Sequence, residues 1–385
     1  MDTVPASLPT TMRQIRSTVT AAGEVRVELA EVPVPRPGPD EVLVRVAATP
    51  VNPSDLGLLF AAADLATARR DDTDGRPALV ATVAPAVLAG LSGRVGQALP
   101  VGNEGAGTVV DAGGSAAAQA LVGRTVAVFG GAMWADYRCV PAAGCLVLPD
   151  GTDPRDGASC FVNPLTALGM VETMRREGHT ALVHTAAASN LGRMLVRICQ
   201  ADGIGLVNVV RRPEQAELLR GLGATEVCDS SAPTFTDDLV ASLRATGATI
   251  AFDAVGGGRL AGQLLAAMEA AVVAAMPGGY SRYGSTVHKQ VYLYGNLDRG
   301  PTELQRSFGM AWAIGGWLLP NFLAAVGPEV ADRLRARVVA ELHTTFASAY
   351  TAELTLEQLF DLDEVARYSR QATGEKVLLV PARTS

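Results

Sequence analysis

The stretch that decides the fold is Ala181-Leu182-Val183-His184-Thr185-Ala186-Ala187-Ala188-Ser189-Asn190-Leu191-Gly192. It passes from an apolar run typical of a strand, through small residues, into a segment with helical periodicity. A strand-to-helix turn of this kind can lay a pyrophosphate across a helix N-terminus, and small side chains let the backbone approach the phosphates. We therefore predict a cofactor-binding loop with contacts from Ala187, Ser189, Asn190, Leu191 and Gly192.

This loop departs from the usual glycine pattern. The G-x-G-x-x-G offsets fall on Ala187, Ser189 and Gly192, so only the last is glycine. The alternative is an ordinary turn of some other α/β fold, and Ser189 or Asn190 would also suit the cap of the following helix. The neighbouring elements favour the cofactor-binding loop.

Strand-like and helical segments alternate around the loop. Strands are expected at 204–210, 249–253, 271–276 and 291–294, and helices at 191–202, 213–222 and 259–270. Pro213 at a helix start and Gly223 just past its end follow the preference of these residues for those positions. The alternation predicts an α/β fold with a Rossmann doubly wound parallel sheet.

Arg211 and Arg212 follow the second strand of this unit. An acidic residue at this place would bond the ribose hydroxyls and favour NAD, whereas arginine suits a 2′-phosphate. The alternative is a pair of solvated arginines in a loop. The position favours NADP (NADPH) as the cofactor.

The N-terminal part of the chain is typical of β structure. Residues 15–20 and 25–29 flank Ala22-Gly23 as a hairpin would, and 41–47 alternates in the manner of a strand. Residues 107–111 and 125–129 are further strands. Residues 61–99 are expected to form a long irregular segment that is functional (a lid), helical in part, or mobile. A helix over 354–370 and a strand over 377–380 are expected to return to this first domain.

Composition excludes several classes of protein. The chain has 385 residues and a net charge of −7, which argues against a nucleic-acid partner. Its 48% hydrophobic content excludes a disordered chain. Five cysteines without C-x-x-C spacing predict reduced thiols and a cytoplasmic location. The uncharged run from Met310 to Gly327 is interrupted by Pro320, so we expect a buried or subunit-contact helix and no membrane span.

Five short motifs occur in order along nearly the whole chain. They are Val51-Asn52-Pro53-Ser54-Asp55, Gly102-Asn103-Glu104-Gly105-Ala106-Gly107, Asn163-Pro164-Leu165-Thr166-Ala167, Asp253-Ala254-Val255-Gly256-Gly257 and Thr373-Gly374-Glu375-Lys376-Val377. Together they resemble the zinc-independent medium-chain dehydrogenase/reductase family, of the quinone oxidoreductase and enoyl reductase kind. The resemblance implies a GroES-like β domain (1–160), a Rossmann NADP-binding domain (161–318) and a C-terminal return to the first domain (319–385).

The resemblance also bears on zinc. Zinc-dependent relatives hold the metal with a cysteine in the first motif and a histidine in the second, and here those places carry Asn52 and Asn103. An amide oxygen is a poor zinc ligand beside thiolate and imidazole. Cys160 lies near a third ligand position, but a buried apolar role is favoured for it. We predict no metal.

Without a metal, the oxyanion that forms during hydride transfer needs hydrogen-bond donors. The resemblance places Asn52 and Thr166 beside the nicotinamide, as catalytic and cofactor-binding residues; their ordinary alternatives are a turn before Pro53 and a helix cap. Enoyl reductases of the family carry a tyrosine shortly after the first motif, and residues 56–63 contain none.

The resemblance implies further cofactor contacts. They would come from Val255, Gly256, Gly278, Tyr283, Ser285, Arg370 and Lys376, the last two alternatively being solvated surface charges. The substrate pocket is expected to be lined by Asn52, Phe60, Met133 and Trp134. An apolar edge strand left open risks aggregation, so we expect a homodimer through the Rossmann edge strand Val291 to Tyr294.

Three functions are consistent with these features. The leading one is an NADPH-dependent, zinc-independent reductase of quinones or of activated double bonds, acting on a small-molecule substrate. The first alternative is an enoyl thioester reductase, for which the Arg69-Arg70 pair is the one cationic hint. The second is an NADPH-binding partner protein without turnover, suggested by the two missing glycines and the missing tyrosine.

Overall fold

The computed structural model describes residues 8–72, 75–276, 281–370 and 372–381. The chain divides into two compact units, Met1–Val162 with Val338–Ser385, and Asn163–Arg337. The sequence prediction places the second boundary after residue 318. The second unit ends at Arg337, whose guanidinium forms two hydrogen bonds of 2.9 and 2.8 Å with the Asp202 carboxylate of the same unit.

The first unit is mostly β structure. Its strands are β1 (Thr11–Val19), β2 (Glu24–Pro33), β3 (Glu41–Pro50), β4 (Asp64–Arg70), β5 (Ala78–Thr82), β6 (Ala98–Pro100), β7 (Glu104–Ala112), β8 (Thr125–Phe129), β9 (Tyr137–Pro141) and β10 (Leu146–Val147). Its helices before residue 162 are α1 (Pro53–Phe60), α2 (Pro85–Gly90), α3 (Ala116–Gln119) and α4 (Pro154–Gly157).

The second unit alternates helices and strands. Its helices are α5 (Val162–Arg176), α6 (Asn190–Asp202), α7 (Pro213–Gly221), α8 (Phe235–Thr246), α9 (Leu260–Ala274), α10 (Leu319–Val326) and α11 (Pro328–Ala340). Its strands are β11 (Ala181–Thr185), β12 (Gly205–Val210), β13 (Glu226–Asp229), β14 (Ile250–Asp253), β15 (Gly256–Gly258), β16 (Lys289–Leu293), β17 (Asp298–Thr302) and β18 (Trp312–Gly316). The chain then returns to the first unit with β19 (Ala352–Leu354), α12 (Leu362–Ser369) and β20 (Val377–Leu379).

Two sheets form the β structure of the first unit. One has the order β4-β5-β2-β1-β6, and the other β10-β8-β7-β3-β20-β19 with β9 also paired to β3. The predicted β1–β2 hairpin is confirmed, and β20 pairs antiparallel with β3, as the expected return of the tail requires. The core of this unit includes Ile15, Leu59, Trp134 and Phe360.

Residues 61–99 do not form the irregular segment that the sequence suggested. They supply β4, β5 and β6, which extend the first sheet, together with α2. The β5 residues Leu79 and Val80 are almost completely buried. The short apolar run Ala78–Thr82 is therefore a packed strand, which the sequence did not indicate because the run is only five residues long.

The second unit has the predicted doubly wound parallel sheet. Its strand order is β13-β12-β11-β14-β16-β18, and every pairing within it is parallel. Numbered within the unit, this is the Rossmann order 3-2-1-4-5-6, in which the direction of winding reverses between the first and fourth strands. The fold is therefore a Rossmann unit with a GroES-like β unit, as expected.

One strand prediction in this unit is wrong. Residues 271–276 are not a strand, because α9 continues to Ala274; Ala267, Met268 and Ala271 are buried at helical spacing. The valines at 272 and 273 favoured a strand by composition alone. The sheet therefore has one strand fewer in this segment than the sequence suggested.

The segment Val291 to Tyr294 is not the edge of the sheet. It belongs to β16, which pairs with β14 on one side and with β18 on the other. The edge strand is β18, and it comes from the apolar run that the sequence assigned to a single helix. That run instead forms β18 and then α10. No helix in the described parts of the chain is long and apolar enough to span a membrane.

Candidate functional site

A hydrogen bond joins the two strands at which the winding of the Rossmann sheet reverses. The Thr185 hydroxyl, at the end of β11, donates to the Asp253 carboxylate at the end of β14 over 2.7 Å. The same carboxylate accepts from the N–H groups of Val255 (2.9 Å) and Gly256 (3.2 Å). Asp253 thus shapes the start of the second loop at the point where dinucleotides bind in this architecture.

The predicted cofactor-binding loop lies between β11 and α6, at this same reversal. The Ser189 hydroxyl caps α6 by accepting from the Gly192 N–H over 3.1 Å. A Cβ at Gly192 would lie 2.0 Å from the Ala187 carbonyl oxygen, so this position requires glycine. Ala186 supplies the tight turn with φ of 51°. The alanine-rich loop therefore keeps the close packing of loop against helix that the glycines of the usual motif provide.

The loop has the features that suit a pyrophosphate. The first turn of a helix offers backbone N–H donors and the positive end of the helix dipole, which suit an anion. Asn190 and Leu191 are the first residues of α6, and Leu191 and Ala187 are buried. All five predicted loop residues are therefore brought together at one place.

Arg211 and Arg212 follow β12 as predicted, and both are exposed. The Arg211 N–H donates to Gln215 Oε1 over 3.1 Å, and Arg212 is the N-cap residue of α7. Their backbones are thereby fixed while their side chains face solvent. This arrangement is consistent both with a 2′-phosphate contact and with a solvated pair.

His184 packs inside the Rossmann sheet, where it is completely buried. Its Nε2 lies 2.7 Å from the Tyr294 hydroxyl, and the two rings stack with centroids 5.7 Å apart. Burial lowers the pKa of His184 to about 3. The imidazole is therefore neutral at physiological pH.

The predicted cofactor contacts between residues 278 and 285 differ in their surroundings. Tyr283 is 67% exposed, and the Arg282 guanidinium carbon lies 5.6 Å from its ring centroid. Ser285 is buried, and its hydroxyl donates to Glu269 Oε2 over 2.6 Å. Gly278 lies outside the described residues. Of these predicted contacts, Tyr283 alone has an open side chain.

Ser285 belongs to a buried ion pair that the sequence did not indicate. Lys289, which is completely buried, pairs with Glu269 and also donates to the Ser285 hydroxyl over 3.0 Å. Burial acts to raise the pKa of Glu269, but the hydrogen bonds from Lys289 and Ser285 outweigh it and lower that pKa. The Ser285 hydroxyl is therefore occupied by this cluster.

In the first unit, the Asn52 side chain is held by a buried carboxylate. Its Nδ2 donates to Glu104 Oε1 over 2.8 Å. Glu104 Oε2 accepts from the N–H groups of Phe161 and Val162, at 2.9 Å each. Burial raises the pKa of Glu104, against the effects of Lys376 and these hydrogen bonds. Glu104 thus fixes the orientation of the Asn52 amide and ties it to the first residue of α5.

A second carboxylate, Asp55, fixes the backbone around Asn52. Its two oxygens accept from the Asn52 N–H (2.9 Å) and the Asn103 N–H (2.8 Å). Burial raises the pKa of Asp55 to about 7, although both hydrogen bonds act to lower it. Asp55 therefore joins two of the five sequence motifs.

Lys376 lies in this same cluster. It is 8% exposed, so it is not the solvated surface charge considered as its alternative role. Its Nζ lies 5.7 Å from the centroid of the Tyr350 ring, and its charge acts on Asp55 and Glu104. Arg370, at the end of α12, is exposed. The contact of either residue with a phosphate stays a prediction.

Thr166 is not a helix cap. It is the fifth residue of α5 and is 6% exposed. The three aromatic and sulfur side chains expected to line the pocket are core residues instead: Phe60, Met133 and Trp134 are nearly or completely buried. Sequence reasoning placed them near Asn52 but could not tell pocket from core.

Asn52 and Asn103 stand where zinc-dependent relatives carry zinc ligands, and the side-chain amide of each forms a hydrogen bond. Asn103 Nδ2 donates to the Ser54 hydroxyl over 2.9 Å, and Asn52 donates to Glu104. Cys160 is buried, which raises the pKa of its thiol. Within residues 8–72, 75–276, 281–370 and 372–381, no three His, Cys, Asp or Glu side chains are grouped as a metal site. All five cysteines are free.

Comparisons with known proteins agree with this architecture. The sequence matches no protein-family model. It is 27% identical over 241 residues to the synaptic vesicle membrane protein VAT-1 homolog of Rattus norvegicus, covering 61% of this chain and 52% of that protein. It is 26% identical over 363 residues to prostaglandin reductase-3 of Bos taurus, covering 91% and 84%. The chain thus spans about half of the first relative and most of the second.

A solved structure is similar along almost the whole chain. It is that of a candidate NADPH:quinone reductase from Mesorhizobium loti, with a TM-score of 0.73 and 26% identity, covering 98% of this chain and 100% of that one. The fold, the five motifs in order and these similarities support one another. By fold and by sequence, the chain is similar to members of the medium-chain dehydrogenase/reductase family.

Proposed function

We propose that the chain is an NADPH-dependent, zinc-independent oxidoreductase that reduces quinones or double bonds activated by a carbonyl group. The observation that carries the proposal is the close fit of Gly192 against Ala187 at the reversal point of a Rossmann sheet. The names of similar proteins support the class of reaction, since they include an NADPH:quinone reductase and a prostaglandin reductase.

The residues that would hold the cofactor fall into two groups. The loop at Ala187–Gly192 would bind the pyrophosphate through backbone N–H groups, and Arg211 and Arg212 would bind the 2′-phosphate of NADPH. Val255 and Gly256, whose N–H groups are fixed by Asp253, would line the nicotinamide half. When bound, NADPH supplies a hydride from C4 of its nicotinamide.

Asn52 and Thr166 are the chain's own candidates for polarising the acceptor. Glu104 takes one N–H of the Asn52 amide, and the second N–H of that amide is the donor we assign to the developing oxyanion. The Thr166 hydroxyl would assist through the cofactor ribose. The final proton would come from solvent, which suits quinone reduction.

The donor chemistry at the two asparagines supports zinc independence. Amide oxygens compete poorly with thiolate and imidazole for zinc, and both amides take part in hydrogen bonds within the protein. An enoyl thioester reductase is less well supported. The two arginines that a nucleotide tail would need are both paired: Arg69 with Glu24, and Arg70 with Asp72.

Cofactor titration followed by turnover tests the proposal. Binding of NADPH and of NADH is measured first, and NADPH oxidation is then followed with 1,4-benzoquinone, 9,10-phenanthrenequinone and trans-2-enoyl-CoA. We expect tighter binding of NADPH and oxidation with the quinones. Oxidation with the thioester alone would favour the enoyl reductase, and binding without any oxidation would favour a non-catalytic protein.

We also propose a homodimer, now with β18 as the contact strand. This strand is at the edge of the described sheet and is only partly buried, and an open edge invites pairing. Ile314→Pro would remove a backbone donor from the open side, because Trp317 donates towards β16, to the Leu293 carbonyl oxygen over 3.0 Å, and donors alternate in direction along a strand. Sedimentation should show a dimer for the wild type and a monomer for this variant; a monomeric wild type would contradict the proposal.

A further inference from the structure

Phe129 lies on the same sheet face as the Glu104 side chain. It ends β8 and is paired in register with Glu104 on β7. Directly opposed residues of antiparallel strands project to the same face, with Cβ atoms about 5 Å apart. The Glu104 carboxylate also binds the Asn52 amide, so Phe129 and the group to which we assign the oxyanion contact are both neighbours of Glu104.

A second ring supports Phe129 from behind. Phe161 stacks on it, with centroids 6.0 Å apart and an angle of 19° between the ring planes. Phe161 is 2% exposed, and its N–H donates to Glu104 Oε2 over 2.9 Å. One carboxylate therefore fixes both the amide and the ring on which Phe129 rests.

The approach to Phe129 is open. Its side chain is only half-buried. The next two residues, Gly130 and Gly131, donate from their N–H groups to the Asn103 carbonyl oxygen, at 3.0 and 3.3 Å. A Cβ placed on either glycine would meet no atom within 4 Å. The backbone that follows Phe129 is therefore uncrowded, and the ring of Phe129 is partly exposed.

We propose that Phe129 determines substrate class, as a stacking surface that selects planar conjugated rings over open-chain enals and acyl thioesters. The inference rests on the proposed hydride transfer to a small acceptor. Ring pairs gain from parallel offset stacking beyond the area they bury, and an aliphatic chain does not. Phe129 acts on binding and orientation, and Asn52 remains the polarising group.

Binding and turnover of two acceptors test this inference. The acceptors are 9,10-phenanthrenequinone, which is planar, and trans-2-hexenal, which is an open chain. Binding is measured by calorimetry on the protein saturated with NADP⁺, and kcat/KM with NADPH. Phe129→Leu removes the flat surface at similar volume, and Phe129→Tyr keeps it.

We expect Phe129→Leu to weaken binding and kcat/KM for the quinone about three- to tenfold, and to change those for hexenal by less than about twofold. Phe129→Tyr should behave as wild type. An equal change for both acceptors, no change for either, or a wild type that binds neither would overturn the inference. If Phe129→Leu does not fold, Phe129→Met takes its place.

The two measurements separate this inference from the proposed function. Ring-selective binding that depends on Phe129, without NADPH oxidation, would support the stacking surface and refute the proposed reaction. Quinone reduction that is indifferent to Phe129 would do the reverse. A merely structural role for Phe129 would lower the melting temperature and leave the ratio of the two acceptors unchanged.

Discussion

Two substitutions of Glu104 test its two roles, which are to stabilise the first unit and to orient the Asn52 amide. The carboxylate is 1% exposed and accepts three N–H bonds, one from Asn52 Nδ2 at 2.8 Å and two backbone bonds at 2.9 Å. Glu104→Ala would leave all three donors buried without an acceptor. Each such donor costs about 1–3 kcal/mol. Part of this cost is offset because the substitution also removes a buried charge.

We therefore expect Glu104→Ala to lower the free energy of unfolding by about 3 kcal/mol or more. At about 2–4 °C per kcal/mol, the melting temperature should fall by roughly 6 °C or more. Thermal denaturation followed by circular dichroism measures this shift. An unchanged melting temperature would show that the carboxylate does not hold these three donors.

Glu104→Gln is the more informative variant. Its single amide oxygen can accept the two backbone N–H groups, and its NH₂ then faces Asn52. The Asn52 amide must flip to offer its oxygen, which turns its N–H groups away from their former direction. Stability should change by only about 1 kcal/mol. The value of kcat should fall by about 10²-fold, as for the loss of one oxyanion donor.

The result that would refute this reasoning is a Glu104→Gln variant with wild-type kcat. It would mean that Asn52 needs no fixed orientation for the reaction. Thr49→Val is the control for a general disturbance around Glu104. The Thr49 hydroxyl donates to the Glu104 carbonyl oxygen over 2.6 Å and forms no hydrogen bond with the carboxylate. This control substitution should cost some stability and leave kcat unchanged.

Burial raises the pKa of Asp55 to about 7, so the folded wild type keeps a proton that the unfolded chain loses near pH 4. The wild type therefore loses stability as pH rises from about 4 to 8, and Asp55→Asn, which does not titrate, should gain stability relative to it. Urea unfolding at pH 5 and pH 8 measures this difference, and a constant difference would contradict it. Gly192→Ala should weaken NADPH binding at least tenfold, since its Cβ would collide with backbone; Gly221→Ala, which meets nothing within 4 Å, is the matched control. Replacing both Arg211 and Arg212 by Ser should raise Kd for NADPH about tenfold or more and leave Kd for NADH nearly unchanged, while equal changes would assign these arginines to solvent.

Local periodicity was sufficient for most of the Rossmann unit. The segments that became β11, α6, β12, α7 and β14 each carry a strong pattern within about ten residues. Local periodicity predicted the wrong element where the composition of a segment favours one structure and its packing another. The valines of α9 resemble a strand, and β18 contains Gly315 and Gly316, which weaken a strand pattern. Only pairing with β16 makes that segment a strand.

The carboxylates that organise the site could not be recognised by a local pattern. Glu104 is separated from its partner Asn52 by 52 positions in the sequence and from Phe161 by 57. Asp253 and Thr185 are separated by 68 positions. Such partners become visible only when the strands are assembled. Glu104, Asp55 and Asp253 each lie in one of the five motifs, and an acidic residue flanked by small and apolar residues is the sequence signal for such a buried carboxylate.

The sequence contains two lysines, Lys289 in the Rossmann unit and Lys376 in the β unit. Lys289 is completely buried and Lys376 is 8% exposed. A slow amine-acylating reagent should therefore reach each lysine only when its own unit opens. Peptide mass analysis after timed exposure would then give a separate opening rate for each half of the molecule. The chain already carries two natural reporters of local unfolding, and no label has to be introduced.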